Sequence, residues 1–307
     1  MGNWGVGLYS SDFAQDLRSA VRAVSRLPFA PSKLLELLRQ TESKAADDPS
    51  DPDHTVFWLV VADRFARHGI DCPEVRDHAL SLIEDGSDLA TMAALGMDEK
   101  SLAKRRPMLE ELRLRLAAPV LTEKRAGVLK APQKLLFEVG DVLVYPVCGK
   151  SPINPYLVGT KWEPLHRWVQ DGWGAFAVAE RGHVFEFLAW YRPLKVVVPL
   201  SSEPSLNELL EPRRWLLDSP GTLSARHYAA MRMKPVGRIA IDSAKLDHLF
   251  PRRMSPRSCA VSDISIANRL SVTNPGGVPE AYRVKHGLPP LPRIEALGEI
   301  MNDAHLP

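Results

Sequence analysis

Nucleophilic catalysis needs a serine or cysteine activated by a nearby base, and this chain offers few such groups. Its three cysteines, Cys72, Cys148 and Cys259, lie far apart. Only Cys148, expected to end a strand, pairs conceivably with a base, His166 or His183. An unactivated thiol and a surface imidazole account for the same residues. No Gly-x-Ser-x-Gly elbow occurs. A metal centre needs several converging ligands, yet the nine histidines are scattered. His54 and His68 stand almost four helical turns apart and cannot share an ion. Gly276-Gly277 spells a turn with no Lys-Ser/Thr behind it, and Gly5 and Gly7 precede a helix but follow no strand, so neither reads as a phosphate cradle. No catalytic residue, metal site or cofactor is assigned.

Aromatic and basic side chains carry more information. Tyr156, Trp162, Trp168, Trp173 and Phe176 fall close together, with Phe185, Phe187, Trp190 and Tyr191 after them. Large aromatics bury much area with few rotors, so they anchor interfaces, and they also build ordinary β cores. The stretch 148–173 has little periodicity and interleaves its aromatics with Lys150, Lys161, His166 and Arg167. A loop that long is uncommon without a role. Tyr156, Lys161, Trp162, Arg167, Trp168 and Trp173 are therefore the candidate partner-binding residues. Bases interleaved with aromatics also serve single-stranded nucleic acid, and Arg213, Arg214, Arg226, Arg232, Lys234 and Arg238 would extend such a surface.

Charge supports this only in part. The 307 residues carry a net charge of +2, but residues 1–118 hold 15 Lys/Arg against 19 Asp/Glu, and residues 211–260 hold ten against four. A local basic excess attracts acidic partners. The overall isoelectric point of about 8.4 falls short of a dedicated nucleic-acid binder.

The elements that would position these residues divide the chain. With 45% hydrophobic and 25% charged residues, its composition is globular and its length suits two domains. Apolar residues at helical spacing predict helices after Ser10-Ser11-Asp12, from Pro31, from Asp53 to His68, from Pro73 and from Asp98. Phe57, Val60, Val61 and Phe65 form the core stripe of the third. Ala45–Asp53 reads as a loop, and Pro107 should kink or restart the last helix. From residue 118 to about 136 periodicity is lost. Short β-branched runs follow, at Asp141–Val147, Gly174–Ala179, His183–Tyr191, Leu194–Leu200 and Pro235–Ile241, with short helices at Ser205–Leu210 and Ala225–Met231. Prolines interrupt residues 243–307, leaving room for short helices near Ile264–Leu270 and Ile294–Ala304. The expected fold is α+β: a helical domain (1–117), a linker (118–136), a mainly antiparallel β domain (137–242; curved sheet or small barrel of about five or six strands) and an irregular C-terminal extension (243–307). No apolar run approaches a membrane span. The opening residues lack a secretory pattern, and three sparse cysteines fit a reducing compartment, so a cytoplasmic protein without membrane contact is expected.

Trp4-Gly5-Val6-Gly7, Tyr9 and Ser11-Asp12-Phe13-Ala14 resemble the start of a bacterial domain of unknown function that opens on a Trp-Gly-x-Gly turn. Phe57 to Asp63, Val75-Arg76-Asp77, Ala79-Leu80, Ile83, Gly86, Asp88-Leu89 and Lys104-Arg105-Arg106 to Leu112 fit the same pattern. Val139-Gly140-Asp141-Val142, Gly174 to Val178 and Lys234 to Gly237 resemble the β domain of an immunity-protein family from polymorphic-toxin systems. The resemblance covers roughly residues 1–116 and 138–242 and brings no catalytic residues. It implies a bacterial cytoplasmic protein that neutralises a toxin by binding it. The expected function is thus an intracellular binding protein with a protein partner, a toxin being the implied one. The alternatives are a nucleic-acid-associated protein using residues 211–260, or an enzyme with an unrecognised site.

Overall fold

The computed structural model describes residues 5–118, 125, 127–148, 151–152, 169–218, 220–223, 225–251, 284–287 and 293–302. They are α+β, and they fall into two compact units, one up to Ala131 and one from Pro132.

The first unit is helical. α1 (Asp12–Val24) starts at Ser11, whose hydroxyl accepts from the Ala14 N–H at 3.1 Å, satisfying one of the helix's orphan donors. α2 (Pro31–Thr41) uses Pro31 in its first turn and buries Leu34, Leu35, Leu37 and Leu38. α3 (Ser43–Asp47) occupies part of the stretch expected to be a loop, because Ala45 and Ala46 have a buried face to pack. α4 (His54–Arg67) is buried on nearly every side and packs against α1 and α3 and against the three helices that follow it. A helix apolar all round belongs at the centre of a bundle. α5 (Pro73–Glu84) ends at Gly86, whose φ of 74° is the left-handed conformation glycine tolerates best. α6 (Ser87–Ala94) has no counterpart in the periodicity; it buries only Asp88 and Met92.

α7 (Glu99–Ala117) runs unbroken through Pro107, which corrects the expected restart. Leu109, Leu112 and Leu116 keep one buried register on its C-terminal half, and Arg105 holds the turn before the proline. Arg105 is buried and grips Asp88 with two hydrogen bonds, Nε to Oδ2 at 2.6 Å and Nη2 to Oδ1 at 2.8 Å. Its Nη1 donates to the Val6 carbonyl at 3.2 Å, tying down the chain at Gly5–Gly7. Asp63, also buried, accepts from the Tyr9 hydroxyl, from Arg67 Nε at 2.8 Å and from Arg115 Nη1.

The second unit is a seven-stranded antiparallel sheet. Its strands are β1 (Asp141–Cys148), β2 (Ser151–Pro152), β3 (Gly172–Val184), β4 (Leu188–Val196), β5 (Trp215–Leu217), β6 (Lys234–Arg238) and β7 (Arg293–Ile294). The order is β2-β1-β3-β4-β5-β7, with β6 also on β1. The path ends at β7 without returning, so the sheet is open, and the barrel alternative falls away. The stretch expected to be one strand, His183–Tyr191, is instead the turn of a long hairpin. Phe185 and Glu186 reverse the chain with φ of 50° and 64°, and Val184 pairs with Leu188.

Both faces of the sheet are covered. One holds Val142, Val144, Ala175, Ala177, Leu194, Val196 and Trp215; the other holds Leu143, Tyr145, Val147, Phe176, Val178 and Tyr191. Double coverage explains why β1 reads as an apolar run without alternation and why every residue of β4, the charged Arg192 and Lys195 included, is buried. α8 (Leu206–Leu210) and α9 (Ala225–Ala230) fall at the expected places. Described parts of the expected C-terminal extension join the core. α10 (Ser243–Leu249), Phe250, Ile294 and the 3-10 turn Leu297–Ile300 pack into the first face, in one cluster with Trp215 and Leu194. The expected helix at Ile264–Leu270 lies outside the described residues.

Candidate functional site

Of the six candidate partner-binding residues, Tyr156, Lys161, Trp162, Arg167 and Trp168 lie outside the described residues. Trp173 sits near the start of β3, partly buried against the first face of the sheet. Two backbone hydrogen bonds with Leu200, both 2.8 Å, fix its position. Across β1, Lys234 of β6 places its ammonium 5.2 Å from the centre of the Trp173 ring, a cation–π distance. The same ammonium donates to both Glu203 oxygens, at 2.9 and 2.8 Å. Val169, four positions before Trp173, is 67% exposed, and Val198, two before Leu200, is 68% exposed. Trp173 thus has a tethered cation over its ring, and the chain segments that lead to it and to its partner Leu200 carry exposed Val169 and Val198.

Three of the six basic candidates pair with carboxylates. Arg214 pairs with Glu295 at 3.4 Å, Lys234 with Glu203 at 2.8 Å and Arg238 with Asp141 at 2.6 Å. Arg213 donates to the Glu208 carbonyl at 2.6 Å. Arg232 is exposed, with a φ of 53°. Arg226 falls on α9, its side chain outside the described residues.

The one nucleophile–base pair read from the sequence on described residues is excluded by strand geometry. Cys148 lies just past the Val147–Gly172 pairing, and His183 lies at the far end of β3. At about 3.3 Å per residue the two are on the order of 30 Å apart. His183 also bonds the Gln133 carbonyl through Nε2 at 2.6 Å, so that nitrogen carries the proton. His166 and Cys259 lie outside the described residues. Among the described residues no group of three His, Cys, Asp or Glu could hold a metal ion.

Comparison with protein-family models, curated proteins and solved structures found no match to this chain.

Sequence reasoning missed a charged pair inside the sheet. Lys195 of β4 has a fully buried side chain, and its ammonium is paired with Asp218, 26% exposed. Burial lowers the proton affinity of Lys195, and Asp218 opposes that shift. Tyr145, buried on the same face, has its phenol pushed up by burial and by the Asp218 charge. Lys195 stands in the apolar run Leu194–Val198, and Asp218 is 23 positions later; no spacing signal connects them. Neither member is arranged as an open acid or base: the cation is sealed from solvent.

Proposed function

We propose that this chain is a binding protein that acts by protein–protein contact in the cytoplasm, with the Trp173 surface as part of its docking face. The observation that carries this is the Trp173–Lys234 pair, with exposed Val169 and Val198 on the chain segments leading to Trp173 and to its partner Leu200. A rigid aromatic held by the backbone, with aliphatic surface beside it and charge at the rim, is how binding hot spots are built. That the partner is a toxin rests on the resemblance of β1, β3 and β6 to an immunity-protein domain, so an acidic or mixed-charge protein surface is the partner chemistry favoured.

The test uses the full chain as bait, in wild-type form and as the double variant Val169→Asp and Val198→Asp, with bound proteins identified by mass spectrometry. Both valines are exposed, so the melting temperature should stay within a degree or two while the partner is lost. The same captured proteins on both baits would overturn the proposal. Capture that survives the double variant but collapses as salt rises from 50 to 200 mM would point to a nucleic-acid partner, since phosphate contacts release counterions.

A further inference from the structure

The helical unit holds a cavity of about 220 Å³ that the docking surface above does not use. Four stretches of chain enclose it. Leu8 comes from the segment before α1, Asp53 and Val56 from the start of α4, Met92 from α6 with Leu95 just past its end, and Arg105 from α7. Leu8, Val56 and Met92 are buried, whereas Leu95 is 53% exposed, so the interior is apolar and the rim meets solvent. The wall at Gly7 is fixed. Arg105 Nη1 donates to the Val6 carbonyl at 3.2 Å and to the Gly7 carbonyl at 3.4 Å, and the Ser10 N–H donates to the same Gly7 carbonyl at 3.2 Å. A Cβ at Gly5 or Gly7 would stand 3.0 or 3.1 Å from Ser10 Oγ. The two glycines of the Trp-Gly-x-Gly motif thus let the turn close tightly on Ser10, another residue of the lining.

Two features set this space apart from a packing fault. The first is size. Protein interiors leave few voids larger than a water, and at about 30 Å³ per water this one matches about seven of them, where about 150 Å³ suffices for benzene. The second is charge. Arg105 is met by its two bonds to Asp88, at 2.6 and 2.8 Å, and Asp51 by Lys44 at 3.2 Å. Asp53 is half-buried, and among the described residues its carboxylate has no hydrogen-bond or ion-pair partner. An aspartate at a helix start ordinarily caps it, yet the Asp53 side chain accepts no bond from the first turn of α4. Burial, and then the charge of Asp51, raise its proton affinity, the condition of a carboxylate that a cation would stabilise. The lining therefore presents one uncompensated negative charge beside an apolar wall.

We propose that this cavity binds a small primary amine with an apolar body of about the size of benzene. The ammonium sits on the Asp53 carboxylate, and the apolar body lies against Leu8, Val56 and Met92. A charge-assisted bond in a partly desolvated site is stronger than its exposed counterpart, and an apolar lining with a few placed polar groups is the usual form of a small-molecule site. The Arg105–Asp88 pair supplies a rigid wall rather than a ligand contact, since its fork is already engaged.

Isothermal titration of the full chain at pH 7 and constant ionic strength, with phenethylamine, 2-phenylethanol and phenylacetate, is the direct experiment. The three share an aromatic body and differ in head group: cationic, neutral and anionic. Saturable binding of one equivalent is expected for the amine, about ten-fold or more weaker for the alcohol, and undetectable for the acid. Asp53→Asn should weaken the amine about ten-fold while leaving the alcohol unchanged, a pattern that a folding defect would not produce. Leu95→Trp, at an exposed position, should narrow the opening and weaken both ligands several-fold with an unchanged melting temperature, so the site stays testable if the Asp53 variant is unstable. No saturable binding of the amine, or amine binding that Leu95→Trp leaves intact, overturns the site. Equal binding of amine and alcohol, or an amine affinity that Asp53→Asn leaves intact, overturns the proposed ligand class.

Discussion

Asp218→Asn removes the countercharge of Lys195 while keeping its shape. Lys195 then has two courses. Keeping its proton leaves an uncompensated buried cation, at a cost of about 3–5 kcal/mol. Releasing it costs about 4.6 kcal/mol at pH 7 for a lysine with an unfolded pKa near 10.4. The two are comparable, so the variant should lose about 3–5 kcal/mol at pH 7. At pH 9 release costs only about 1.9 kcal/mol, and the deficit should shrink accordingly. The direction follows from linkage: burial lowers Lys195's proton affinity in the folded chain, so the unfolded chain binds more protons and stability rises with pH until the unfolded lysine itself titrates. Lys195→Met should cost less than Asp218→Asn, because the carboxylate left behind is 26% exposed and can be hydrated. Chemical-denaturation midpoints at pH 7 and 9 measure all three chains. An Asp218→Asn chain within about 1 kcal/mol of wild type at pH 7, a deficit unchanged at pH 9, or a more damaging Lys195→Met would each show that Asp218 is not the countercharge Lys195 depends on.

Phe57→Ala should cost about 3–5 kcal/mol as a large-to-small change in a full core, and Trp58→Ala a similar amount, since Trp58 is also buried with its indole N–H on the Ala46 carbonyl at 3.1 Å; a neutral denaturant melt for either would show that α4 is not central. Gly140→Ala should cost at least about 2 kcal/mol, because φ is 87° there and an added Cβ would lie 1.9 Å from the Ile239 carbonyl oxygen; a wild-type melting temperature would contradict this. Limited proteolysis should cut first within residues 117–136 and leave two stable fragments, and early cleavage within residues 53–85 would argue against that boundary.

What could be read in advance depended on how local the signal was. α1, α2, α4 and α5 announce themselves through apolar spacing and caps, all within one or two turns. α6 does not, because its few buried groups include Asp88, whose burial depends on Arg105 seventeen positions away. The β3–β4 turn was hidden because Phe185 and Glu186, rather than Gly or Asn, adopt the positive φ. Pro107 signals a break locally, but the buried Leu109, Leu112 and Leu116 hold α7 together on its far side. At the candidate site, Trp173 was legible as a large aromatic near a strand start, but its cation was not. Lys234 belongs by sequence to the basic stretch 211–260, and β1–β6 pairing sets it over the ring. The carboxylates that neutralise Arg214 and Arg238, Glu295 and Asp141, are 81 and 97 positions away, so residue counts along the chain made that stretch look more exposed as charge than it is.

The closing strand of the sheet has a consequence in time. Trp215 of β5 pairs with Ile294 of β7, 79 positions later, and the Asp242 N–H and the Ala240 carbonyl find their partners in Ile300 and Asn302. At roughly 5–20 residues per second, a ribosome needs about 4–16 s to make the intervening chain. Throughout that interval the nascent protein carries β5 as a naked edge, with Trp215 and Leu194 uncovered, the conditions under which strands find the wrong partner. Fast-folding helices upstream do not shorten this wait. Translation speed over residues 216–294, and the chaperones present meanwhile, should therefore govern how much of the protein ends up usable.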